Sequence, residues 1–224
     1  MMTLGIIMQA SSAFAQRRGS KSSGSTLSIT TGGGLSTHKS KTVESNDTAT
    51  SIVYGVKFRA GRSGDIGIEY SKFSTPTTFE LNTSEITTSF ADTSFSYHMW
   101  LFYLGLSISN TDIIVDNSGT EIFDGLGSGY GGVFGMDIPV GKGNSFIVEM
   151  RSITTSTLKH DSASEITLGP RTDVNFSGKI ALTKQFLALD IGFKQSTYSV
   201  SIGGTSTAET VYTTWAGLSF NLNP

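Results

Sequence analysis

The chain of 224 residues contains no cysteine, which excludes a disulfide framework, a thiol nucleophile and the softest metal ligands. Long apolar runs are missing too. The best stretch, between Phe95 and Ile108, is interrupted by Ser, Gly and His, so nothing reaches the roughly 18 apolar residues that a membrane helix needs. Charge is scarce: only 15% of residues are charged, with a formal net charge of -2. There is no basic field for nucleic acid, which is excluded as a partner. Good helix formers are rarely grouped, whereas 26 Gly and abundant Ser and Thr surround short alternating runs of aromatic and β-branched residues. That balance favours strands and turns throughout, and the length suits one all-β domain.

At the N-terminus, residues 1–15 read M-M-T-L-G-I-I-M-Q-A-S-S-A-F-A. A short apolar run followed by Ala13-Phe14-Ala15, a small-x-small cleavage pattern, predicts a secretory signal peptide. The mature chain is expected to begin at Gln16. Residues 16–25 are basic and rich in Ser and Gly, which predicts a flexible periplasmic lead-in, and residues 26–224 form the folded domain.

Hairpins organise that domain. Strand one is expected over Thr26–Thr31, ending at Gly32-Gly33-Gly34. From Ile52 to Phe58, Ile52, Tyr54, Val56 and Phe58 share one face, while Gly55, Lys57 and Arg59 share the other. A turn centred on Gly64 would set Phe58 against Tyr70 and Arg59 against Glu69. A turn centred on Gly143 would set Ile138 against Val148 and Asp137 against Glu149, with Arg151 in diagonal reach. A turn at Lys184-Gln185 would set Leu182 against Leu187 and Lys179 against Asp190. Each hairpin thus carries one face of large apolar side chains and one of small residues and charges. Longer polar segments, 36–48, 74–92, 109–128, 156–172 and 202–210, alternate with these turns. Counting 79–90 as a strand gives ten strands; leaving it as loop gives eight.

The last stretch, Val211 to Leu222, puts Tyr212, Thr214, Ala216, Leu218, Phe220 and Leu222 on one face. Thr213, Gly217, Ser219 and Asn221 lie on the other, with Trp215 the exception. Gly217, Phe220 and Leu222 resemble the closing signal of bacterial outer-membrane barrels, a final strand of the form Gly-x-x-Φ-x-Φ with Φ aromatic or aliphatic. Alternating short and long connections point the same way. Over the mature chain the sequence resembles the small outer-membrane barrel superfamily, of the OmpA- and OmpX-like kind. That resemblance implies a closed antiparallel up-and-down transmembrane β-barrel in the bacterial outer membrane, in contact with outer-membrane lipid and inserted by the barrel-assembly machinery through the C-terminal strand. In such a barrel the apolar faces meet lipid. The five basic and four acidic residues Lys57, Arg59, Glu69, Asp137, Glu149, Arg151, Lys179, Asp190 and Lys194 then line the lumen, where Arg59–Glu69 and Lys179–Asp190 are expected as ion pairs. In a secreted β-sandwich the same charges would face water.

Signals for chemistry are weak. Gly127-Ser-Gly129-Tyr-Gly131-Gly132 fits the dinucleotide fingerprint, but no helix follows to receive a pyrophosphate. His38, His98 and His160 are scattered, with no metal-ligand spacing, and no cofactor is implied. His160-Asp161-Ser162 with Glu165 resembles the spacing of lipid A deacylases. The leading expectation is a structural or surface-interaction protein with a lumen filled by paired charges and Ser/Thr-rich loops outside, its external ligand left open. A small porin-like channel comes next, then a lipid A-modifying enzyme.

Overall fold

A computed structural model describes residues 26–40, 48–60, 66–75, 84–117, 120–141, 143–154, 166–183, 186–202 and 205–222. These residues form β1 (Thr26–Ser40), β2 (Thr48–Ala60), β3 (Ile66–Thr75), β4 (Ser84–Met99), β5 (Phe102–Asn117), β6 (Thr120–Pro139), β7 (Ser145–Ile153), β8 (Ile166–Leu168), β9 (Arg171–Ala181), β10 (Leu187–Ile202) and β11 (Thr205–Leu222). All pairings are antiparallel, each strand beside its sequence neighbour. β7 pairs with β9 across the short β8. The sheet closes because β11 pairs with β1, from Leu27 opposite Leu222 to Ser40 opposite Glu209.

β8 and β9 are two pieces of one stave. Both pair with β10, and the register slips by one residue between Leu168–Val200 and Thr172–Thr197. The break falls at Gly169-Pro170, where proline has no N–H to give to the ladder. Among the described residues the strands therefore make ten staves closed into a ring, which the period-two patterning needs if one face is lipid and the other lumen.

Alternation along the strands decides the faces. Ser51, Val53, Lys57 and Arg59 point inward from β2, while Ile52, Tyr54, Val56 and Phe58 stand exposed outside. On β5, Tyr103, Ser107 and Ser109 are buried, and Phe102, Leu104, Leu106 and Ile108 are exposed. β11 follows suit, so that Trp215 sits on the inner face with Thr213 and Ser219, whereas Leu218 and Leu222 are outside. Roughly four outward apolar residues per strand, at about 3.3 Å per residue and a tilt near 40°, make a belt on the order of 20 Å tall, the height of an outer-membrane hydrocarbon layer.

The structure corrects several expectations. β1 runs through the three glycines to Ser40 rather than ending at Thr31. Segment 74–92 is largely strand, since β4 begins at Ser84. Segments 109–128 and 202–210 are mostly strand as well, as β5–β6 and β10–β11 remain paired up to Asn117–Thr120 and Ile202–Thr205. The turn missing between β4 and β5 is Trp100-Leu101, with Trp100 in the left-handed region at φ 58°. Two registers also differ by two residues. Glu69 stands opposite Lys57, not Arg59, and Asp137 stands opposite Ile147, not Glu149. In the second hairpin the connection is the five residues Val140–Asn144, with Gly141 and Gly143 both left-handed at φ 84° and 83°. A slip of two keeps every side chain on its face, so periodicity cannot detect it. The third hairpin has the expected register, Lys179 opposite Asp190 and Ile180 opposite Leu189.

Candidate functional site: a charged plug across the lumen

The inner face of β4 carries Asp92, fully buried. Its carboxylate receives Arg151 of β7 at 2.8 Å and Arg171 of β9 at 2.6 Å, with Lys194 of β10 at 3.8 Å. Three adjacent staves, β7, β9 and β10, thus reach from one side of the barrel to a single carboxylate on β4. Two further acids complete the group: Glu149 lies 3.0 Å from Arg151, and Asp173 lies 3.1 Å from Arg171 and 3.4 Å from Lys194. Three carboxylates and three cations neutralise one another in a space where each is nearly sealed from water, the arrangement that makes buried charge tolerable.

Uncharged neighbours hold the geometry. Tyr103 donates its hydroxyl to Glu149 at 2.7 Å. Its ring occupies the room left by Gly135, where a Cβ would come within 2.3 Å of it. Arg171 also donates to Ser109 at 3.1 Å, and its guanidinium lies 4.3 Å from the Phe90 ring centroid, within cation–π range. Phe90 meets Tyr198 edge to face at 5.5 Å. With Ile113, Ile153, Leu168 and Val200, also buried, these rings form an apolar layer toward the long-connection end. Still on the inner face, His38 of β1 and Glu209 of β11 meet at 2.8 Å, both buried. Ser36 joins Ser51 and Thr213 by hydroxyl hydrogen bonds beside them in the ladder.

The expected lumen residues are distributed as follows. Arg151, Glu149 and Lys194 belong to the plug. Arg59 reaches across the lumen to Asp137 at 2.8 Å; the side chain of Glu69, its expected partner, lies outside the described residues. Lys179 and Asp190 face each other in register, yet Lys179 donates to the Asn221 amide oxygen at 2.7 Å. Asp190 accepts from the hydroxyls of Ser219 and Thr30. Lys57 lines the cavity at the short-turn end. Gly217 packs against Gly32 at the β1–β11 seam, where a Cβ on Gly32 would sit 2.4 Å from the Ala216 carbonyl oxygen. Phe220 touches Phe186 outside, with ring centroids 5.8 Å apart.

Asp92, Arg171, Asp173, His38 and Glu209 were not among the expected lumen residues. All except Asp173 fall in stretches whose polarity reads as loop, and their only signal was a small or apolar residue at every second position. The G-x-G-x-x-G stretch is part of β6, and Gly131 stands opposite Ser107 and Ile153 in the ladder. The His160-Asp161-Ser162 group and Glu165, like the signal and lead-in, lie outside the described residues.

No family model matches the sequence, and no curated protein matches it. Among solved structures, Neisserial surface protein A aligns at 13% identity and a TM-score of 0.43, covering 87% of this chain and 96% of that one. The outer membrane protease OmpT from Escherichia coli aligns at 8% and 0.46, covering 91% and 98%. The translocator domain of the autotransporter NalP from Neisseria meningitidis aligns at 12% and 0.38, covering 98% and 96%. At such identities and scores these likenesses assign neither an activity nor a ligand.

Proposed function

We propose that this chain is a bacterial outer-membrane β-barrel protein with a closed lumen, serving a structural or surface-interaction role. The outward apolar belt meets lipid. Short turns in such barrels face the periplasm, so β5–β6 and β10–β11 extend outward beyond the belt as polar hairpins that a partner can touch. The observation that carries the reading is the buried, self-neutralising group around Asp92, which spans the lumen from β4 to β7, β9 and β10. A channel needs a wet path, and alternating charges held at 2.6–3.8 Å leave none at that level. The small-channel reading draws on a cavity of about 200 Å³ at the short-turn end, but the plug lies across its inner limit. Gly217, Phe220 and Leu222 are the expected signal for the assembly machinery, and residues 1–15 the export signal.

Electrophoresis with and without boiling, on protein from fractionated envelopes, tests the placement. The expected result is a detergent-solubilised species in the outer-membrane fraction that migrates differently when unheated. A single band soluble without detergent would contradict it. Protein recovered from that fraction should start at Gln16, and a sequence still beginning at Met1 would refute the signal.

A further inference from the structure

On the outward face, the sector formed by β10, β11, β1 and β2 carries a cation and no acid. Lys39 of β1 is exposed, whereas Asp190 and Glu209, the acids of these four strands, point inward. None of the ion pairs among the described residues involves Lys39. Its ammonium lies 5.6 Å from the centroid of the Tyr212 ring, and that ring stacks on Phe193 with centroids 6.1 Å apart. An ammonium has three N–H donors, so above a ring face it has hydrogen bonds to give. The ladder sets its height. Tyr212 stands opposite Thr37, two residues beyond Leu35, the last apolar side chain in the outward stripe of β1. At about 3.3 Å per residue and a tilt near 40°, that is about 5 Å above the apolar belt, within a headgroup layer about 5 to 7 Å deep. Below it the belt is hollowed. Gly33 and Ala216, both exposed, stand side by side in the ladder between Ile52 and Ile191, which are 62% and 44% exposed. A Cβ on Gly33 would find nothing nearer than 3.8 Å.

We propose that this sector binds a phosphorylated lipid of the outer leaflet, its phosphate held by Lys39 Nζ beside Tyr212 and one acyl chain laid in the groove between Ile52 and Ile191. The site rests on the outer-membrane placement, with the short turns in the periplasm, and goes beyond it by naming a lipid class and the staves that hold it. Charge selects the occupant. A zwitterionic headgroup brings an ammonium of its own, whereas a phosphomonoester brings negative charge alone. One lysine at a membrane surface enriches anionic lipid about fivefold. The opposite side of the ring lacks this pattern. Tyr130 of β6, five staves from β1, is exposed at the outer edge of the belt, and β5 and β6 contain no Lys or Arg and direct Asp112 outward.

Tyr212→Trp keeps an aromatic face under Lys39 and reports on the site, and Tyr130→Trp reports on the opposite side. Each is made in the full-length Trp100→Phe barrel, where Trp215 faces the lumen and adds the same background to both. The barrels are refolded into phosphatidylcholine vesicles containing a minor fraction of brominated phosphatidic acid or, for comparison, of brominated phosphatidylcholine. At position 212 the anionic lipid should quench several-fold more strongly than the zwitterionic one, and at position 130 the two should quench equally. Lys39→Gln should make the two lipids equal at position 212, and Lys39→Arg should restore the difference. Inorganic phosphate, against chloride at the same ionic strength, should not relieve the quenching. Equal quenching by the two lipids at 212, the same preference at 130, a preference that survives Lys39→Gln, or relief by inorganic phosphate would each overturn the proposal. The reporters alone decide the first two outcomes, so a Lys39 variant that fails to fold does not rescue it. Phe193→Trp, at the ring stacked on Tyr212, replaces a Tyr212→Trp barrel that fails to fold. Quenching at position 130 by either lipid shows the belt to lie in lipid, which separates failure of this site from failure of the membrane placement.

Discussion

Replacing Asp92 by Asn removes one charge and almost no volume. It leaves Arg151, Arg171 and Lys194 with only Glu149 and Asp173 to neutralise them, an excess of one buried positive charge. Each lost contact is large in isolation, since unit charges 4 Å apart at an effective dielectric of 20 interact by about 4 kcal/mol, and all three contacts here are shorter. Most of that is offset by the cost of drying the carboxylate, which a neutral amide at the same position does not bear. The net penalty for leaving a buried charge unmatched is about 3 to 5 kcal/mol. Urea unfolding in lipid–detergent micelles, followed by loss of the fast-migrating unheated band, measures it. The sharper arm is a cycle. Arg171→Met alone should also cost about 3 kcal/mol or more, but added to Asp92→Asn it restores two cations against two acids, so the double variant should be far less destabilised than the sum. Additive losses, or an Asp92→Asn barrel within about 0.5 kcal/mol of wild type, would refute the claim that these side chains act as one neutral unit.

Gly32→Val should weaken barrel closure by about 1 to 3 kcal/mol, because its Cβ would meet the Ala216 carbonyl oxygen at 2.4 Å. Gly33→Ala next to it, where the nearest atom is 3.8 Å away, should leave the unheated band unchanged, and equal effects at both positions would discount the seam. Tyr103→Phe removes a hydroxyl bond to a buried carboxylate and is expected to cost about 1.5 to 3 kcal/mol. A loss below about 0.5 kcal/mol in the same assay would show that Glu149 does not depend on Tyr103.

Period-two alternation told which residues share a face, and for β2, β5 and β11 that was enough to send Lys57, Arg59 and Ser219 inward and Ile52, Leu106 and Leu218 outward. It was silent on register: Lys57 and Arg59 are equally good partners for Glu69 on pattern alone, and the length of the connection after Ala60 decided between them. The tight hairpin between Ala181 and Leu187 left no such freedom, and there Lys179 fell opposite Asp190. The plug itself was harder to see. Above the belt the outward face of a stave is polar, so Asp92, flanked outside by Ala91 and Thr93, and Arg171, next to Thr172, sit in stretches that look like loop. Strand signals come from apolar side chains meeting lipid, whereas these residues are held by partners on distant staves, Arg151 and Lys194 among them. Nor does any local spacing show that Arg59 would find Asp137 across the lumen.

Planar-bilayer recording on the refolded wild-type protein tests the closed lumen most directly. The group around Asp92 predicts silence over the full voltage range, with leak appearing on Asp92→Asn. Large, steady single-channel currents from wild type would contradict it.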